Sequence, residues 1–190
     1  MKFARLLFFF FLALLAATAA LSFMLPSHQK IEKSITINAP AAAIYNEVRS
    51  LENFNRVSVW NQQDSTIQYT KSGNDGTVGA STSWKGDPEI SGEGKIEISE
   101  LIPNHTVAHN IEFSKPKKGN AASTFSIIEK DKNSTTVTWY FKVATPRPWN
   151  IFNLFFSLDK QMGKDFDTGL AALKLYMEAK QLNTTPPVKP

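Results

Sequence analysis

The residues able to do chemistry are few, and their spacing argues against most of it. "HTVAH" sets His105 and His109 four apart, a spacing that lets two imidazoles share a metal on a helix. The surrounding alternation is that of a strand, with Val107, His109, Ile111 and Phe113 opposed to Thr106, Ala108, Asn110 and Glu112. Four residues of strand rise about 13 Å, too far for two rings that each bond one metal at roughly 2.0–2.1 Å. No metal is therefore expected. His109 shares the parity of core-facing residues, which leaves three roles open: a buried histidine satisfied by a polar neighbour, a polar contact for a bound ligand, or a general acid or base. Glu93 and Glu97 in "SGEGKIEISE" look like a carboxylate pair, but Lys95 lies between them on the same face while Ile96 and Ile98 take the other. They read as solvated outer-face charges. Asp159, Asp165 and Asp167 read as surface residues, with Asp159, beside an apolar stripe, a candidate for a cavity mouth. No Ser-His-Asp arrangement, phosphate loop or metal box is present, so no catalytic residue is assigned and no cofactor is expected. The lack of cysteine removes thiolate nucleophiles, disulfides and Cys-based metal sites.

Composition sets the frame in which such residues must be positioned. A chain of 190 residues, 42% hydrophobic and 20% charged, suits one domain with a sizeable core. The formal charge of +4 comes from Lys and Arg mixed with Glu and Asp, and without a run of like charge no nucleic-acid partner is expected.

The first 25 residues form a separate unit. Lys2 and Arg5 precede an apolar run, Leu6 to Leu25, broken only by Thr18 and Ser22, which as a helix covers about 30 Å, the thickness of a bilayer core. Ala17-Thr18-Ala19 offers a signal-peptidase pattern, yet a cut there splits the apolar run and leaves a greasy "ALSFML" end. The reading adopted is an uncleaved single-pass anchor. Lys2 and Arg5 before the span are balanced by Lys30 and Lys33 after it; the signal-like form of the tail selects a cytoplasmic N-terminus, with an extracytoplasmic domain on a bacterial inner membrane. The linker "PSHQK", residues 26–30, reaches at most about 18 Å, which holds the domain against the bilayer.

Residues 31–182 read as one domain and 183–190 as a disordered tail. "IEKSITINA" alternates as a half-buried strand. In "NAPAAAIYNEVRSL", Asn38 is a candidate cap and Ile44, Val48 and Leu51 recur at helical spacing; a second short helix is expected over Glu52 to Val59. After Trp60, turn residues punctuate six strand-length runs, the pattern of a meander. Val137, Trp139, Phe141 and Val143 oppose Thr136, Thr138 and Lys142, so one face of the sheet is apolar and must be covered. Its cover is a long helix within "PWNIFNLFFSLDKQMGKDFDTGLAALKLYME", Pro148 to Glu178, whose stripe is Leu158, Met162, Phe166, Leu170, Leu173 and Met177. Trp149, Ile151, Phe152, Leu154, Phe155 and Phe156 exceed what one stripe can bury. Trp149 and Phe152 are accordingly expected to form a cavity lip in the membrane interface, with Arg147 beside the headgroups.

This succession, strand, helix pair, six-strand meander and long closing helix, resembles the START-like, or SRPBCC, superfamily, which includes polyketide cyclase/dehydrase and lipid-transport proteins. The likeness rests on "INAPAAAIYNEV" at the first strand-to-helix junction, "GASTSWKGD" and "GEGKIEISELIPNHTV" in the central strands, and "DFDTGLAALKLYME" in the last helix. It implies an α+β helix-grip fold, about seven antiparallel strands curved around the C-terminal helix, with an apolar cavity between them. Read with the alternation, the lining would comprise Tyr69, Trp84, His109, Phe113, Phe125, Trp139 and Phe141 from the sheet, and Met162 and Phe166 from the helix. An apolar ligand burying about 350 Å² there gains roughly 9 kcal/mol before association costs, enough for micromolar binding. The expected function is a membrane-tethered binding module for a hydrophobic small molecule of lipid or isoprenoid class. A cyclase or hydrolase working in the same cavity and a ligand-free membrane-proximal interaction domain are the alternatives, since one scaffold hosts carriers, sensors and enzymes.

Overall fold

Period-two runs become strands and the three-and-four stripe becomes a helix laid across them. The computed structural model describes residues 2–57, 59 and 63–184; Trp60 and, of the expected tail 183–190, residues 185–190 lie outside them. Helix α1 (Lys2–Met24) leads into β1 (His28–Ile37), α2 (Ala41–Val48) and α3 (Leu51–Val57). Strands β2 (Gln68–Ser72), β3 (Ser81–Lys85), β4 (Glu93–Ile102), β5 (Thr106–Lys115), β6 (Gly119–Asp131) and β7 (Ser134–Ala144) follow. A 3-10 turn (Trp149–Leu154) and a long helix, α4 (Leu158–Thr184), are the last described elements.

The seven strands form one antiparallel sheet in the order β1-β7-β6-β5-β4-β3-β2, a meander closed by pairing β1 with the last strand. Its inner face is the one the alternation marks: Val107, His109 and Ile111 of β5 and Val137, Trp139 and Phe141 of β7 are buried. Helix α4 grips that face. Phe166, Leu170, Leu173 and Met177 are buried along its stripe, and the Phe166 ring meets those of Trp139 and Phe141 at 4.4 and 5.1 Å between centroids. Gly169 permits the approach, since a Cβ there would stand 3.1 Å from the Trp139 ring. Ile44, Tyr45 and Val48 of α2 are buried in the same core.

Register places several termini together. His28 pairs with Ala144, Ala121 with Val143, Gly119 with Phe113, Lys115 with Glu93 and Glu93 with Lys85. The β3–β4 loop, the β5–β6 loop and the junction with α1 therefore share one end of the sheet.

Three local expectations are corrected. The apolar stretch after Pro148 does not continue into the long helix; it forms its own 3-10 turn. Helix α4 starts afresh at Leu158, where the Ser157 hydroxyl accepts from the Lys160 N–H (3.4 Å) and the Gln29 side chain accepts from the Leu158 N–H (2.7 Å), satisfying donors that a helix start leaves open. Asn38 does not cap α2: Pro40 occupies the N-cap position without a side-chain bond, and the Asn38 N–H donates to Glu178 Oε1 at 2.9 Å. Strand β1 starts at His28, inside the stretch read as linker, because its ladder with β7 runs that far.

Of α1 only Ser22 is buried. The helix is long and apolar enough to cross a membrane, a test that a signal sequence also passes.

Candidate ligand cavity

Between the inner face of the sheet and α4 lies a cavity of about 380 Å³, within the range of small-molecule sites. Its walls come from elements far apart in sequence. The sheet contributes Tyr69, Trp84, Ile96, Ile111, Phe113, Ser123, Trp139 and Phe141, and α4 contributes Met162 and Phe166. Phe54 and Asn55 of α3 close one side, and residues 88–92 and 115–117 form the rim. Seven of the nine residues expected to line a cavity are here.

The other two are not. Phe125 stacks on Trp139 at 4.8 Å between centroids, in a layer behind the cavity wall. His109 lies behind Phe54, whose ring is 5.7 Å away. The sequence could not show this screen, because α3 reaches the inner face only in the folded chain. The expected mouth residues also lie elsewhere. Trp149, Phe152 and Asp159 are absent from the lining; Asp159 pairs with Lys33 of β1 at 3.0 Å, and Trp149 and Phe152 stack together at 6.1 Å, both exposed, on the turn beside α1.

Packing at the mouth depends on small residues and one carboxylate. Trp84 faces Gly94 across the β3–β4 pair, and a Cβ on Gly94 would come within 2.5 Å of both the indole and the Glu112 carbonyl. The indole is thus free to lie flat over β4, edge-on to Phe113 at 5.9 Å, with its N–H donating to the Ser91 carbonyl at 2.9 Å. Asp64, which sequence reasoning passed over, organises the rim. Its buried carboxylate accepts from the Asp87 N–H (2.8 Å), the Thr66 N–H (2.9 Å), the Thr66 hydroxyl (2.6 Å) and the Ser91 hydroxyl. The Ser91 and Thr66 hydroxyls hold its pKa far below the ordinary carboxylate value. A D-x-T pattern ahead of a strand is the local trace of this turn, but its reach to residue 87 has no sequence signal.

Electrostatically the interior is neutral. Burial, with the Asp64 charge second, pushes the Tyr69 phenol up to about 12, so it stays protonated. Burial pushes His109 down to about 4, so its ring is uncharged at neutral pH. The Trp139 N–H donates to the buried Ser123 hydroxyl at 2.8 Å. The charged lining residues Glu89, Lys115 and Lys117 are all exposed at the rim, Lys115 at the end of β5. Among the described residues no group of His, Cys, Asp or Glu is placed to hold a metal.

A family model described as "Polyketide cyclase / dehydrase and lipid transport" matches residues 28–178. Similar solved structures include norcoclaurine synthase from Thalictrum flavum in complex with dopamine and hydroxybenzaldehyde, at 14% identity and a TM-score of 0.58 over 84% of this chain and 89% of that one. The Zhui aromatase/cyclase from Streptomyces sp. R1128 aligns at 13% identity and a TM-score of 0.57 over 80% and 94% of the two chains. A protein from Chromobacterium violaceum aligns at 10% identity and a TM-score of 0.56 over 79% and 97%. At such identities these structures share the fold. No curated protein matches the sequence.

Proposed function

Because this chain belongs to the polyketide cyclase/dehydrase and lipid transport family over residues 28–178, we propose that it is a membrane-tethered module that holds a hydrophobic small molecule, of lipid or isoprenoid class, in its sheet-helix cavity. The observation that carries the reading is the 380 Å³ cavity with aromatic walls and an uncharged interior. Such a space favours apolar surface over water by about 25 cal/mol per Å² buried.

Location supports the tethered part. The rim loops lie at the end of the sheet where α1 joins β1, and Ile90, Trp149, Phe152, Phe155 and Phe156 are exposed. Lys117 adds positive charge to the rim, where Lys115 is paired with Glu93 at 3.0 Å. An anchor at this end brings the rim to the headgroup layer, where apolar side chains with flanking lysines are favoured. A ligand then passes between bilayer and cavity without crossing bulk water.

The cyclase or hydrolase alternative calls for ionisable groups that converge on one reacting centre. Among the described lining residues the charged ones are on the exposed rim, which favours binding over acid-base chemistry. Native mass spectrometry of the full chain, released from lipid nanodiscs and followed by lipid extraction, tests the proposal. A retained apolar molecule, lost when Ile111→Trp fills the cavity, is the expected result; an empty wild-type chain in lipid-rich nanodiscs would sink it.

A further inference from the structure

His109 is 1% exposed, and neither of its ring nitrogens has a hydrogen-bond partner among the described residues. A buried polar group without a partner destabilises the fold, and a hydrophobic side chain of similar size would not. Its position suggests what offsets that cost. Along β5 the inward residues run from Phe113 near the rim through Ile111 to His109, so the imidazole lies one step beyond the inner end of the cavity. Ser123, directly opposite His109 in the β5–β6 register, does line the cavity. Its oxygen accepts from Trp139, which leaves its own O–H available to a ligand.

Phe54 separates the imidazole from this space. Its ring touches His109, Phe125 and Trp139 at 5.7, 6.0 and 5.7 Å between centroids. The same side chain borders both the main cavity and a second void of about 20 Å³, about the size of one water.

We propose that Phe54 is a movable inner wall, and that when it swings aside His109 and Ser123 together hydrogen-bond a neutral hydroxyl at the buried end of an otherwise apolar ligand. The chemistry selects that group. A neutral imidazole offers one N–H donor and one nitrogen acceptor, and a hydroxyl can donate to the ring while accepting from Ser123. A carboxylate would be stripped of water with its nearest lining cations out on the rim, at Lys115 and Lys117. The ligand class is therefore a neutral alcohol or phenol on an apolar body. The inference rests on the binding function proposed above and adds the identity of the ligand's polar end.

The test compares 2-naphthol with naphthalene, which differ by one hydroxyl. The full chain, carrying fluorotryptophan and isotope-labelled histidine, is placed in nanodiscs of phosphatidylcholine and phosphatidylglycerol and titrated with each probe at equal bilayer mole fraction. Both probes are expected to move the Trp139 fluorine resonance, and only 2-naphthol to move the His109 ring resonances. His109→Phe should weaken 2-naphthol binding on the order of tenfold and leave naphthalene unchanged. A Trp139 shift from 2-naphthol with no His109 shift overturns the inference while cavity binding stands. So does an equal effect of His109→Phe on both probes. If neither probe moves Trp139, both the inference and the binding function fail. Should His109→Phe not fold, the wild-type His109 resonances decide alone.

Discussion

Asn150 caps the end of the membrane-span candidate with its side chain, and Ser22 is the residue it holds. The Asn150 amide donates to the carbonyl oxygens of Ser22 (2.7 Å) and Leu25 (3.1 Å), and its own oxygen accepts from the Ser22 hydroxyl at 2.6 Å. Arg147 adds a bond to the Ser22 carbonyl at 3.2 Å and lies over the Phe23 ring. The last carbonyls of a helix have no partner within it, and here the domain supplies one from beyond the last strand. Asn150 is completely buried in doing so.

Asn150→Ala is accordingly expected to lower the unfolding stability of the full chain in nanodiscs by about 1–3 kcal/mol, the usual cost of leaving buried polar groups unpaired. Amide hydrogen exchange over residues 25–28 should rise with it. Unchanged exchange there would show that the domain is not fastened to α1 through this side chain.

Acid should weaken the fold through His109. Its folded pKa, about 4, lies below the ordinary 6.5, so as pH falls the unfolded chain takes up the proton first. Stability from this group is complete above about pH 6.5 and declines by roughly 3 kcal/mol on reaching pH 4. Urea unfolding of wild type and His109→Phe at several pH values reads the difference. The substitution should flatten this limb of the profile, and parallel profiles would contradict a buried neutral imidazole.

Gly94→Ala should cost about 1–3 kcal/mol, the range for forcing atoms into a packed site, because the new methyl meets the Trp84 ring and the Glu112 carbonyl at 2.5 Å. Trp84 must then leave its place over β4. Fluorescence of this tryptophan should change together with the thermal midpoint.

Asp64→Asn removes the anion that gathers the donors of Thr66, Asp87 and Ser91. Faster amide exchange over residues 87–92 and quicker release of a bound apolar probe are expected. The pH sign follows from the depressed pKa: the carboxylate stabilises the rim at every pH above the usual Asp range and is lost only in stronger acid. Rim exchange that is the same in both proteins at neutral pH would remove Asp64 from this role.

Trp149 is 63% exposed beside α1, and the membrane contact proposed above predicts that brominated lipids in the nanodisc quench its emission. The quenched component is identified as the part lost in Trp149→Phe. Emission indifferent to bromolipid would place the aromatic turn in water.

The sequence alone determined which face of each long element is apolar. Alternation in β5 and β7 and the stripe from Leu158 to Met177 depend only on the periods of 2 and 3.6, which local backbone geometry sets, so the one-sided sheet and its covering helix were legible, as were most of the lining aromatics. What the periods cannot encode is where such runs are interrupted. The register shift between Ile98 and Glu100 changes the parity of β4, so that Leu101 packs against the core although it shares odd numbering with outward-facing Glu97. The Ser157 and Gln29 caps divide residues 148–178 into a turn and a helix. Nor can local pattern report contacts between distant elements. Phe54 from α3 shuts His109 away from the cavity, Asp64 gathers a loop more than twenty residues ahead, and Asn150 closes the end of α1 from 128 residues further along the chain. Each depends on side chains brought together by packing. Tertiary structure therefore decided which inward residues border open space and which lie behind a wall.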